Sequence, residues 1–87
     1  MNGTQMPLRV MVHESWDEIA MTVPDTTTVQ ELKRRALDAA RVTDAAAEFL
    51  VKFRGAEVAD ESRTVASVGV PAEGALIVLR RRRRPVR

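Results

Sequence analysis

The chain has no cysteine, one histidine, no tyrosine and an aromatic content of only 3 %. Without cysteine there are no disulfides, no thiolate metal sites and no thiol nucleophile. With His13 as the sole imidazole, a histidine-based zinc site or a catalytic triad lacks members. No apolar run approaches the ~20 residues of a membrane span, and the N-terminus lacks the charged start and apolar stretch of a signal peptide. A cytoplasmic protein is the default expectation. The four glycines include no adjacent pair, an absence that matters below.

What is present fits one small domain. Eighty-seven residues with 45 % apolar and 30 % charged side chains are ordinary for a globular fold, although a chain this short buries only about 60 % of its unfolded surface. The net charge of +2 hides an asymmetry. Six of the fourteen positive charges are Arg80, Arg81, Arg82, Arg83, Arg84 and Arg87, so residues 1–79 carry eight positive against twelve negative charges. The body is acidic and the tail basic. Twelve arginines against two lysines, with abundant Ala and Val, point to a GC-rich and hence bacterial genome.

Hydrophobic period predicts the elements. Residues 1–7 show none and read as a flexible lead-in. From Leu8 the pattern alternates, with Leu8, Val10 and Val12 on one face and Arg9, Met11 and His13 on the other, the period of a half-buried strand. After a polar turn at 14–17, Ile19, Met21 and Val23 resume the alternation until Pro24 ends it. Thr28 followed by Glu31 has capping-box spacing, and Val29, Leu32, Ala36 and Ala40 give the helix that follows one apolar stripe. Lys33, Arg34 and Arg35 read as its solvated face. The helix is expected to fade near Arg41, with Val42 turning back to the core. Phe49, Val51 and Phe53 share one face of a third strand. Gly55 marks a turn, and Val58 anchors a short edge strand. Val65, Val68 and Val70 read as anchors of an irregular stretch. After a turn at 71–74, the apolar run Ala75–Leu79 reads as a central strand beside the first. The expected architecture is α+β, a mixed sheet of four to five strands with one helix packed across one face.

The order of elements and several local strings resemble ubiquitin-like β-grasp proteins over residues 8–82. Val23-Pro24-Asp25-Thr26-Thr27-Thr28-Val29 resembles the family's passage from second strand to helix. Val51-Lys52-Phe53-Arg54-Gly55 resembles its third strand and turn, and Arg63–Val70 with Glu73–Arg80 resembles its closing segment. Residues 83–87 form a basic tail. Conjugated family members and sulfur carriers end in Gly-Gly, whose carboxylate is activated and must thread a narrow channel. Here Arg84 and Pro85 stand at those positions. The resemblance therefore implies a non-conjugating member, similar to small bacterial ubiquitin-like proteins, including those encoded with type VII secretion systems, and to ubiquitin-like adaptor domains. No cofactor and no catalysis are expected.

The resemblance also implies a recognition surface on the outer sheet face: Leu50, Lys52, Ile77 and Leu79, with Arg81 at the rim and Met11 extending it. Strand alternation points the same side chains away from Val51, Leu76 and Val78. Contiguous exposed aliphatics mark a contact site for a protein partner. The competing readings are weak self-association of an otherwise monomeric protein, or coverage by the tail or N-terminus. Trp16, in the first turn, is either a contact anchor or packing over an edge. His13 beside Glu14 and Asp17 raises acid–base chemistry, but neither nucleophile nor pocket accompanies it. Arg80, Arg82, Arg83, Arg84 and Arg87 form a candidate polyanion-binding group, since guanidinium binds phosphate and carboxylate bidentately. The leading expectation is a non-conjugated interaction module and not an enzyme. The alternative is a small nucleic-acid- or polyanion-associated protein acting through the arginines, and a third reading is a non-catalytic subunit of an enzyme complex.

Overall fold

The computed structural model describes residues 4–81. Two strands, β1 (Gln5–Val12) and β2 (Asp17–Pro24), form an antiparallel hairpin. The helix α1 (Val29–Ala39) follows, then a single 3-10 turn at Ala46–Glu48, β3 (Phe49–Phe53), β4 (Ala56–Glu57), the one-turn helix α2 (Val65–Val68) and β5 (Ala75–Arg80). The five strands form one sheet in the order β2-β1-β5-β3-β4, with β5 parallel to β1 and antiparallel to β3. The last strand thus lies beside the first, at the centre of a mixed sheet, as its apolar run leads one to expect.

Alternation sets the two faces. Leu8, Val10, Val12, Leu76, Val78, Phe49 and Val51 point to one side, and each is at most 2 % exposed. Val29, Leu32, Ala36 and Leu37 of α1 close over them. Ile19, Met21, Phe53 and Val42 pack around this core half-buried. Leu37 extends the helix stripe beyond the positions read from the sequence.

The ends of α1 have local causes. The Thr28 hydroxyl accepts from the Glu31 amide at 3.1 Å, which satisfies one of the free N–H groups of the first turn. The other half of the expected capping box is replaced: the Glu31 carboxylate accepts instead from Arg34 and Arg35. Those charge-assisted bonds, chiefly from Arg34, hold the Glu31 carboxyl below its ordinary range. At the other end Arg41 adopts φ 62°, its amide donates to the Asp38 carbonyl, and the Val42 amide reaches back to the Leu37 carbonyl at 2.9 Å. This is a Schellman termination with arginine where glycine is usual.

Several expectations need correction. Lys33 does not belong to a solvated face. It is 3 % exposed, and its ammonium donates to the Phe49 carbonyl at 2.9 Å and pairs with Glu61 at 2.7 Å. It ties α1 to the start of β3 and to the loop before α2, because a buried ammonium must have partners. The stretch at Val65–Val68 is a helical turn, not irregular. Thr64 caps it through the Ser67 amide at 3.1 Å, and Gly69 ends it at φ 91°. The first strand opens at Gln5, inside the segment 1–7 read as a lead-in, because Gln5 and Met6 pair with Pro24 and Val23. The β3–β4 turn uses Arg54 and Gly55, both at positive φ, as a two-residue hairpin with right-handed strand twist requires. Among the described residues no helix is long and apolar enough to cross a membrane.

Candidate interaction surface

The face of the sheet away from α1 is built by the alternate residues. Register aligns them in rows. One row runs Glu18–Met11–Ile77–Lys52–Glu57 across all five strands. The next pairs Leu79 with Leu50, and the His13 amide donates to the Val78 carbonyl, so β1's backbone carries His13 alongside Leu79. On the other side of the central row lies Ala20–Arg9–Ala75. Met11, Leu50, Lys52, Ile77 and Leu79 therefore do share one face. Within it the exposure is uneven. Ile77 is 42 % exposed, whereas Met11, Leu50, Lys52 and Leu79 are half-buried by one another. Ile77 forms the crest.

Two shallow depressions flank that crest. The first, of about 400 Å³, has His13, Leu50, Lys52 and Leu79 in its lining. The second, of about 410 Å³, lies over β1 and β2 and includes Arg9, Ala20, Thr22 and Glu73. It exists because Ala20 and Thr22 are too short to fill the surface beside Arg9. Sequence reasoning did not single out Arg9, although its place between Leu8 and Val10 already put it on this face.

Trp16 occupies the β1–β2 loop at φ 59° and is 73 % exposed. Its ring centroid lies 4.5 Å from that of His13. His13 in turn flanks Leu79, so the tryptophan extends the apolar surface past the end of the strands. The acid–base grouping around His13 does not assemble, since the Glu14 carboxylate is held by Arg80 at 3.0 Å.

The arginines divide. Arg80 points to the helix side of the sheet. Its guanidinium lies 4.8 Å over the Phe49 ring and bonds to Glu14, to Asp44 at 2.6 Å and to Glu48 at 3.2 Å. These bonds, Glu14's first, make it hold its proton more tightly than a free guanidinium. Three carboxylates from three separate segments already occupy it, so its assignment to the polyanion-binding group is corrected: it clamps the end of the fold. Arg81 stands at the rim, donating to the Ala47 carbonyl at 3.0 Å with Glu57 at 3.5 Å. Arg82, Arg83, Arg84 and Arg87 lie outside the described residues.

No protein-family model matches the chain, and no curated protein matches it. Solved structures do. A ubiquitin from Caldiarchaeum subterraneum superposes with a TM-score of 0.77 at 12 % identity, covering 92 % of this chain and 98 % of its own. A structure described as molecular mimicry of SUMO promoting DNA repair gives 0.76 at 18 % identity, over 90 % and 94 %. The ubiquitin-like domain of Arabidopsis thaliana protein At2g32350 gives 0.74 at 17 %, over 95 % and 84 %. Likeness of shape over nearly the whole length at such low identity establishes the architecture: the chain has the ubiquitin-like β-grasp fold.

Proposed function

We propose that this domain is a non-conjugated protein-interaction module that holds its partner against the outer sheet face, with Ile77 at the centre of the contact. It acts as an adaptor in a bacterial cytoplasm. The observation that carries the reading is the central row, in which Met11, Ile77 and Lys52 lie side by side with Ile77 standing proud on a rigid sheet. A large aliphatic exposed on a strand at the middle of a sheet, with Leu50 and Leu79 beside it, supports contact with another macromolecule. The non-conjugating part rests on sequence: β5 runs into arginines, and no two glycines are adjacent anywhere in these 87 residues.

The experiment is site-specific photo-crosslinking in cells. A photoreactive residue at position 77 is expected to trap a discrete protein, while the same group at Ala39, exposed on the far side in α1, is not. Equal labelling at the two positions would overturn the reading. Crosslinks only to further copies of this chain would replace an adaptor by a self-associating protein. A covalent conjugate formed through the C-terminus without illumination would overturn the non-conjugating part.

A further inference from the structure

The reading of the outer face as an interaction surface can be carried to the chemistry of what sits on it. Resting on that reading, we propose that the partner presents an acidic amphipathic helix. Its aliphatic side chains cover Met11 and Ile77, and two of its carboxylates, one on each side of that crest, pair with Arg9 and Lys52.

The charges carry the argument. Lys33, Arg34, Arg35, Arg80 and Arg81 each lie within 4 Å of a carboxylate of the chain itself. Among the described residues Arg9 and Lys52 have no such ion pair, and both lie on the outer face. Each lines one of the two depressions beside the crest, Arg9 the one over β1 and β2, Lys52 the one over β3 and β5. A cation at the floor or wall of a concavity, without its own anion, is complementary to an incoming carboxylate.

Register fixes their separation. Arg9 stands opposite Ala75 and Lys52 opposite Ile77, so they are two strands apart and offset by two residues. With strands ~4.8 Å apart and a rise of ~3.3 Å per residue, their Cα atoms are about 12 Å apart. On a helix, positions seven residues apart rise about 10.5 Å and share one face, with those three and four residues on lying between them. A partner helix with carboxylates seven apart and aliphatics between them thus meets Arg9, the Met11–Ile77 crest and Lys52 in that order. Glu18 and Glu73 lie off this diagonal, at the β2 edge and before β5. They repel a helix laid along the opposite diagonal and so select one orientation. The acidic character of the whole body does not cancel this, because screening at physiological salt limits unpaired charges to about 8 Å.

The test uses a fluorescein-labelled helical peptide of about 18 residues, ~27 Å long, with two adjacent central leucines and a glutamate on either side of them, seven residues apart. A control peptide carries lysine at both glutamate positions. Anisotropy titrations use the full 87-residue protein at about 50 mM salt, where screening is weak. Wild type is expected to favour the glutamate peptide by about 30-fold, and the double variant Arg9→Glu, Lys52→Glu to invert the preference. Equal affinity for the two peptides, preference for the lysine peptide, or no binding of either up to about 1 mM overturns the acidic-helix proposal. A third protein, Ile77→Asp, separates this proposal from the reading beneath it. If Ile77→Asp abolishes peptide binding while the charge reversals change nothing, the surface stands and the acidic partner falls. If the charge reversals invert the preference while Ile77→Asp has no effect, the contact is not centred on Ile77 and the surface reading itself fails.

Discussion

The two lysines of this chain stand on opposite faces of one sheet and show what each face is for. Lys33 is on α1, sealed under the sheet at 3 % exposure, with the Phe49 carbonyl and Glu61 as its partners. Lys52 is on β3, half-buried among aliphatics, with no carboxylate within 4 Å among the described residues. The inner face has spent its polar groups on holding itself together. The outer face carries an exposed isoleucine and cations without anions, at positions where folding alone needs neither. A side chain that the fold uses is saturated by partners within the chain, and one that it does not use remains available to another molecule.

The comparison breaks most visibly in the core. Leu32→Ala should destabilise the domain by about 2–5 kcal/mol in urea unfolding, since Leu32 is almost completely buried between α1 and the sheet. A change within error would mean that α1 is not docked as described. Lys33→Met comes next. It leaves Glu61 facing a buried position without its cation, and breaking such a pair costs about 3 kcal/mol. Adding Glu61→Leu should recover most of the loss, and a double-mutant cycle measures that coupling. Lys52→Met, the matched change on the outer face, should stay within about 0.5 kcal/mol. Equal losses at the two lysines would erase the distinction between the faces.

A smaller effect of opposite sign is expected where α1 ends. Arg41 pays the left-handed cost at φ 62°, so Arg41→Gly should raise stability by about 1 kcal/mol. The smallest expectation concerns acid. Glu31, through Arg34 and Arg35, and Asp60, through Ser62, both have carboxyls held below their ordinary values. Groups depressed in the folded state stabilise it above the unfolded carboxylate pKa of about 4 and lose that contribution as pH falls through the folded value. Midpoints of thermal unfolding should therefore drop below pH 4, and the double variant Glu31→Gln, Asp60→Asn should show a shallower drop. Both groups are exposed, so the difference is slight.

The strands and α1 were legible because their causes are local. Leu8, Val10 and Val12 alternate, Leu76 and Val78 sit in a continuous apolar run, and Thr28 is at the right distance from the helix it caps. The facing of Met11, Leu50, Lys52, Ile77 and Leu79 follows from the same alternation. What sequence reading missed depends on distant residues. Lys33 looks solvated beside Arg34 and Arg35, and only the fold brings Phe49, sixteen residues on, to its ammonium. Arg80 looks like the head of a basic tail until Glu14, Asp44 and Glu48 converge on it from 66, 36 and 32 residues away. The turn of α2 is four residues long, too short for a period to show, though its Thr64 cap was visible. The link from Trp16 through His13 to Leu79 depends on loop geometry that composition does not encode.

The central claim is that the outer face, through Ile77, is where this domain meets its partner. The most direct measurement is the affinity of wild type and of Ile77→Asp for the protein trapped by crosslinking at position 77, with unfolding curves of both run in parallel. The account predicts an intact fold and a loss of at least about 30-fold in affinity, the size of an interface hot spot. Unchanged affinity with an intact fold would contradict it. Unfolding of the variant would contradict it as well, by placing Ile77 among the core residues and leaving the outer face without its centre.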